Sequence, residues 1–494
     1  MMNKKRGDAL KSMTVVLLAG IVAGCAVGPD FHRPESPKAT GYTEKPLPAK
    51  TAAAGGISQH FSVKTDVPAD WWTLFHSRAL DTLVRRSLDG SPTLDAARAT
   101  LIQAQEDLAA ELGLEFPEIN LTPSAERERF SPAIFGGSGP PNIFNLYNAS
   151  VKVSYGLDIF GGLRRQVESQ RAQVEYEGYQ YRGAILALTA NVVTSAVTEA
   201  SLREQIAATR EIISSEKRQL RIVENQFKLG AVSKSDLLLQ KSQVAQTMAT
   251  LPPLEKSLSQ VRHQLAVYVG MTPQEANLPE IHMNELHLPE NLPLSLPSKL
   301  AEQRPDIRGA EALLHEASAQ VGVATANLYP QITLSANIGS MAVSTGSLFS
   351  NKTEIWNLTG SLTQPIFNGG QLRAQKKAAV AAYNQAFAQY RSTVLQAFKN
   401  VADVLRALDA DAAALQAQKD AEVSSKDALD LVRKQFNLGA ASYLALLASE
   451  RQYQQSRISV IQAKASRMAD TAALFQSLGG GWWHNQKNGE VSDD

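Results

Sequence analysis

Cysteine is almost absent. Cys25 stands alone in 494 residues, so neither an internal disulfide nor a thiolate metal cage can form. Histidine is scarce, and its eight copies never fall in H-E-x-x-H spacing. No Gly-x-Ser-x-Gly elbow or glycine-rich phosphate loop occurs either. His282 and His287 flank Met283 and Glu285 in a proline-bounded connector, which a solvated loop explains better than a metal site of fixed ligand geometry. With no catalytic constellation, the expectation is a protein that is not an enzyme and holds no cofactor or metal. Charge of one sign is lacking too. The formal net charge is +1, which gives no electrostatic case for nucleic acid as a partner. Beyond the amino-terminal leader, no unbroken apolar run approaches the about 18 residues of a membrane-spanning helix.

The leader carries Lys4, Lys5, Arg6 and Lys11, then a short apolar run from Met13 to Val22, then Val22-Ala23-Gly24-Cys25. The run is too short to span a bilayer and reads as a secretory signal over residues 1–24. Its end resembles a bacterial lipobox, with Val22 where leucine is commoner. That resemblance implies cleavage before Cys25 and acylation of its thiol. A plain signal with a chance cysteine is the alternative. Ala26 follows, where aspartate would imply retention in the inner membrane, so outer-membrane delivery is implied.

The chain repeats itself with a period of roughly 210 residues, far longer than solenoid repeats. Gln226-Phe227-Lys228-Leu229-Gly230-Ala231-Val232-Ser233 returns as Gln435-Phe436-Asn437-Leu438-Gly439-Ala440-Ala441-Ser442. Ile159-Phe160-Gly161-Gly162 returns, with one insertion, as Ile366-Phe367-Asn368-Gly369-Gly370. Phe116-Pro117-Glu118-Ile119 returns as Tyr329-Pro330-Gln331-Ile332, and Ser91-Pro92-Thr93-Leu94 as Arg304-Pro305-Asp306-Ile307. The order is kept, so the chain is two copies of one domain-sized unit.

Each copy predicts helix, strand, strand, long helix, tight turn, helix. The strands alternate: Ile119, Leu121, Pro123 and Ala125 interleave with Asn120, Thr122, Ser124 and Glu126, and Trp356, Leu358, Gly360 and Leu362 with Asn357, Thr359, Ser361 and Thr363. Pro123 argues for an edge or rim position. Their length fits both a soluble sandwich and tilted membrane strands with the apolar face toward lipid. From about 163 to 229 there is no proline, and 371–438 matches it, so each copy holds a helix of about 100 Å at about 1.5 Å per residue. The predicted shorter helices, 79–114 with 236–270 and 299–328 with 443–478, stack end to end to partner them. Val394, Phe398, Val401, Leu405, Leu408, Ala412 and Leu415 form a heptad seam, and Leu220, Val223 and Phe227 repeat it near the first turn. Four strands neither close a wet barrel nor leave their edges open in lipid, so the sequence demands self-association.

The lipobox, the following Val27-Gly28-Pro29-Asp30-Phe31-His32-Arg33-Pro34, the Ile-Phe-Gly-Gly strand exits and the paired Phe-x-Leu-Gly-Ala turns resemble the TolC-like outer-membrane efflux family, in its OprM/NodT-type lipoprotein branch. The implied fold is mainly α with transmembrane β: a duplicated long-helix coiled bundle (an α-barrel), with four strands per protomer contributing to a trimeric twelve-stranded outer-membrane β-barrel. The resemblance implies a homotrimer in outer-membrane lipid, docked to a periplasmic adaptor (membrane fusion protein) and an inner-membrane efflux pump of the resistance-nodulation-division type. It places adaptor contact at Leu229, Gly230, Ala231, Val232 and Ser233 and at Leu438, Gly439, Ala440, Ala441 and Ser442. Asp236 matches a gating aspartate, although a helix-capping carboxylate explains it equally, and Ala445 and Ala448 stand where some relatives carry aspartates.

The expected organisation is a signal peptide at 1–24 and an anchored extended segment at 25–78, then a first repeat at 79–275 with strands near 118–131 and 143–159. A connector at 276–298, a second repeat at 299–479 with strands near 330–344 and 354–367, and a tail at 480–494 complete it. Passive conduction of drugs or other small molecules follows. The alternatives are a channel for type I-like protein secretion or metal efflux, a lipid-anchored periplasmic coiled-coil scaffold or adaptor, and a secreted hydrolase, which lacks any nucleophile signature.

Overall fold

The computed structural model describes residues 26–487 apart from 36, 38, 40, 46, 47, 55, 56 and 64. The predicted signal and Cys25 lie outside the described residues. In chain order the elements are β1 (His60–Val63), a 3-10 turn (Trp71–Phe75), α1 (Arg78–Gly90), α2 (Pro92–Gly113), β2 (Glu118–Phe130) and β3 (Asn142–Leu157). Then come α3 (Gly162–Lys228), α4 (Lys234–Tyr268), β4 (Asn291–Leu294), α5 (Pro297–Gln303), α6 (Pro305–Ala326), β5 (Gln331–Ala342), β6 (Glu354–Thr363), α7 (Gln371–Asn437) and α8 (Tyr443–Ser477).

The chain divides into two compact units that cut across the sequence repeats, each drawing on both copies. Among the described residues the first comprises 26–34, Thr100–Glu177 and Ala310–Tyr390. It holds a four-stranded antiparallel sheet in the order β2-β3-β5-β6. The register aligns the alternation of the four strands. Leu121, Val151, Ile338 and Trp356 form one row across all four strands, and Asn120, Lys152, Asn337 and Asn357 form the next. The apolar row lies open, with Leu121 71% exposed, Ile338 57% and Trp356 73%. β6 ends at Thr363, short of the expected 367, because Pro365 offers no N–H to a ladder. The outer edges of β2 and β6 have no partner strand among the described residues.

A short amino-terminal segment also belongs to this unit. Val27 N–H donates to the Phe160 carbonyl (3.1 Å). Arg165 donates to Asp30 (2.6 Å) and to Glu168 (2.7 Å), and Arg33 to Glu311 (3.1 Å). The Phe31 ring stacks on His315 at 4.4 Å. Gly28 passes Gly322 so closely that a β-carbon on it would lie 2.5 Å from the Gly322 Cα.

The second unit comprises Glu35–Ala99, Gly178–Gly309 and Arg391–Asp494. The seam predicted along α7 is its spine: Val401, Leu405, Leu408 and Ala412 are fully buried. Each such leucine contributes about 1.5–3 kcal/mol relative to exposure. Phe227 departs from that reading, being 38% exposed at the end of α3. α3 also contains an 18-residue window of mean hydropathy 1.4, of which 61% is buried within the protein. The helices expected over 79–114 and 299–328 are each broken, at Ser91-Pro92 and at Arg304-Pro305. A proline fits a first helical turn and not a helix interior. The returning helices end at these breaks: Gly270 lies against Gly90 and Pro92, and Arg304 donates to the Ser477 carbonyl (2.8 Å). The expected end-to-end stacking therefore starts at the prolines.

The extended stretch from 49 to 63 is tied down by polar groups. β1 pairs parallel to β4. Arg467 on α8 is 1% exposed and donates to Gln59 (3.1 Å), Thr51 (3.2 Å) and the Ile57 carbonyl (3.3 Å). Gln59 in turn donates to the Pro289 carbonyl and to Thr471, both at 3.0 Å. Trp71 stacks on Phe475 at 5.3 Å beside this network.

Candidate functional site: the hairpin tips and the polar joint behind them

Both long helices turn back by the same device, all within the second unit. Past α3, the Gly230 N–H donates to the Phe227 carbonyl (3.0 Å) and the Ala231 N–H to the Gln226 carbonyl (2.9 Å). Past α7, Gly439 and Ala440 repeat these bonds to Phe436 (2.9 Å) and Gln435 (2.8 Å). This crossed pair is a Schellman termination, which needs the left-handed backbone found at Gly230 (φ 74°) and Gly439 (φ 77°). The turns push Leu229 and Leu438 outward, each 84% exposed. Ala231, Ser233, Ala440 and Ser442 are exposed, while Val232 and Ala441 are half-buried.

Ser233 and Ser442 cap the next helices, accepting from the N–H groups of Asp236 and Ala445. Asp236 completes a capping box, receiving the Ser233 N–H (3.1 Å) and hydroxyl (2.7 Å). Its carboxylate is thus committed to the helix start. Ala445 stands at the matching position of the second tip and makes no such return bond.

The two tips share one core. Val223, Leu429, Tyr443, Leu446 and Leu447 are buried together, with Val232, Leu237 and Phe436 packed against them. Behind it lies a buried polar joint that the sequence reading missed. Glu216 on α3 is 2% exposed and accepts from Gln243 (3.2 Å) and Thr247 (3.0 Å) on α4 and from Gln454 (2.8 Å) on α8. The Tyr443 hydroxyl donates to Gln240, which donates to the Glu216 backbone carbonyl (3.2 Å). Glu450 on α8, also buried, receives Arg433 of α7 at 3.4 Å. One oxygen each of Glu216 and Glu450 has no hydrogen-bond partner among the described residues. Burial pushes the Glu450 carboxyl above its ordinary range, with the Arg433 guanidinium pulling the other way and Glu216 adding to the rise. The Tyr443 phenol is pushed up by burial and by Glu450, Asp236 and Glu216. Four helices are therefore joined through two carboxylates that are incompletely compensated for lost water.

The signal for this joint was present in the sequence. Ile213, Glu216, Leu220 and Val223 step by three and four residues, so Glu216 occupies a seam position that an apolar residue would fill. The histidines of the connector do other work: the His287 N–H donates to the Phe75 carbonyl (2.9 Å), and His282 lies 3.9 Å from Glu280. They sit on the wall of a cavity of about 1290 Å³ in the second unit.

The sequence profile of the outer membrane efflux protein family matches residues 83–271 and 296–480. The pyoverdine export outer membrane protein OpmQ of Pseudomonas aeruginosa is 30% identical over 450 residues, covering 90% of this chain and 94% of that protein. The probable efflux pump outer membrane protein TtgC of Pseudomonas putida is 28% identical over 97% of this chain and 98% of its own length. The structure of the outer-membrane channel OprN superposes with a TM-score of 0.84 at 25% identity, covering 93% of this chain and all of that one. The chain belongs to the outer membrane efflux protein family and is an outer-membrane channel of the kind used in tripartite efflux systems.

Proposed function

We propose that the chain is one protomer of a homotrimer in which twelve strands close a β-barrel in the outer membrane and the paired long helices form a periplasmic conduit. Drugs or other small molecules pass through it passively, handed on by a periplasmic adaptor and an inner-membrane pump of the resistance-nodulation-division type. The observation that carries this reading is a sheet with an exposed apolar face, a polar opposite face and two open edges, an arrangement stable in lipid only when closed by further strands. Cys25 is the proposed lipid anchor. The docked segment from Val27 to Arg33 supports that assignment, because it brings the chain just after Cys25 against the β3 exit.

The tips Leu229–Ser233 and Leu438–Ser442 are the proposed adaptor contact, two exposed leucines on rigid turns. The proposed gate is the joint of Glu216 and Glu450 rather than Asp236 alone, since separating the hairpins would wet carboxylate oxygens that have no hydrogen-bond partner among the described residues. The test replaces Gly230 and Gly439 by valine and measures drug susceptibility alongside heat-modifiable trimers from purified outer membranes. Lost resistance with intact trimers is expected. Full resistance with intact trimers would exclude the tips as the docking site, and a soluble periplasmic monomer of the native chain would exclude the channel.

A further inference from the structure

We propose that β2 and β6 pair with each other between copies of this chain in one defined register, which sets Leu362 opposite the partner's Leu121 and stacks Phe367 on the partner's Phe116. The proposal rests on the trimeric reading above and adds the structure of its seam. The evidence lies in the seam the chain makes with itself. β3, which closes the first hairpin, pairs with β5, which opens the second, so that Leu157 faces Ile332 and Val151 faces Ile338. Just beyond the ladder, Phe160 stacks on Tyr329 with ring centroids 4.8 Å apart and planes 19° apart.

The duplication supplies the counterparts of every group in that seam. Ile159-Phe160 corresponds to Ile366-Phe367, and Tyr329-Pro330-Gln331-Ile332 to Phe116-Pro117-Glu118-Ile119. One half of each counterpart pair sits at the β6 side of the chain and the other at the β2 side, so within one copy they are left without each other. Phe367 is 91% exposed and Phe116 70%. An aromatic pair stacked in one seam is thus left unstacked at both ends of the sheet, as a second copy of the chain would require.

Replaying the internal seam places Gln364 opposite the partner's Ile119. The rest of the ladder then follows without adjustment. Leu362 meets the partner's Leu121, Gly360 the partner's Pro123, and Leu358 the partner's Ala125, all on the apolar face. Ser361 meets the partner's Thr122 and Thr359 the partner's Ser124 on the polar face. Glu354 meets the partner's Arg129, an opposite-charge pair. Positions of one face meet positions of the same face along the whole ladder, although Trp356 meets the partner's Arg127 and Gln364 the partner's Ile119, and a shift by one residue would destroy that alignment.

One rival register keeps the faces. The hairpin ladders differ by two residues, since Glu118 pairs with Ser154 but Gln331 with Thr363. Carrying the duplication through the ladders instead of the exits would slide β6 by two, setting Leu358 against the partner's Arg127 and Ser361 against the partner's Ser124. That register sets both Leu358 and Trp356 against arginines and separates the two phenylalanines, whereas the exit-based register sets only Trp356 against the partner's Arg127 and pairs Glu354 with the partner's Arg129, so the exit-based register is the one proposed.

Paired cysteines decide between them. Directly opposed side chains have β-carbons about 5 Å apart and diagonal ones about 7–8 Å, while a disulfide needs about 3.8 Å. Ser361→Cys with Thr122→Cys in one chain should give oxidant-dependent covalent trimers in outer-membrane vesicles, roughly tenfold more than Ser361→Cys with Ser124→Cys. Each single variant serves as the control. The opposite ratio with native trimers intact would overturn the register and leave the channel reading standing. Absence of trimers on native gels, with no cross-link from either pair, would overturn both. The aromatic stack has its own readout: Phe367→Ala and Phe116→Ala should each lower the trimer dissociation temperature, and the double variant no further. Additive losses would remove the stack.

Discussion

At the scale of single residues, a pair of half-buried carboxylates ties stability to pH. Asp411 on α7 and Asp470 on α8 lie together, and burial followed by the hydrogen bond to Asp411 pushes Asp470 from 3.8 to about 6. A raised value means the folded state keeps a proton that the unfolded chain releases. The contribution of this pair is therefore complete below about pH 3.8 and is lost as the pH rises through about 6. Asp470→Asn should melt at the native temperature near pH 4 and above it at pH 7.5, measured as the heat-induced loss of the folded trimer. Equal melting at pH 7.5 would mean the pair carries no strain. The tip glycines were legible in the sequence because a Schellman turn admits little else at its left-handed position, and the duplication printed the motif twice. Glu216 was legible only as a charge on a seam position; its role was not, because its partners lie on α4 and α8, and that of Glu450 on α7.

At the scale of elements, the long helices were legible almost to the residue, since proline-free stretches bounded by glycine leave few alternatives. What was missed is where their shorter partners break. Ser91-Pro92 and Arg304-Pro305 are among the repeated motifs, yet each was read as lying inside a helix; the structure makes each a helix start against which a returning helix ends. Packing along α7 is tight enough to test. Leu405→Ala removes a fully buried side chain from the seam and should cost about 2–5 kcal/mol, against little for the exposed Lys399→Ala. Thermal denaturation of the two variants beside the native protein measures the difference. Near-native melting of Leu405→Ala would show that the seam relaxes around the missing atoms.

At the scale of the whole molecule, composition and pattern revealed the two repeats, but not that the compact units would cut across them. The reason is physical: a sheet needs both hairpins to cover its inner strands, so the copies exchange material there. A channel gated by the Glu216 joint should leak when the joint is cut. Glu216→Ala strands the donors of Gln243, Thr247 and Gln454, and trimers of this variant in planar bilayers should pass larger currents than native ones. Unchanged currents would place the constriction elsewhere. The capping box carries a last consequence. Asp236 completes it at the first tip, while Ala445 leaves the second without it. A trimer would therefore present six tips of two chemistries in alternation, three carrying Lys228, Lys234 and Asp236 and three without a charged residue from 435 to 445. A collar of six identical subunits could not seat all its members alike on such a rim, and would be obliged to dock as three pairs.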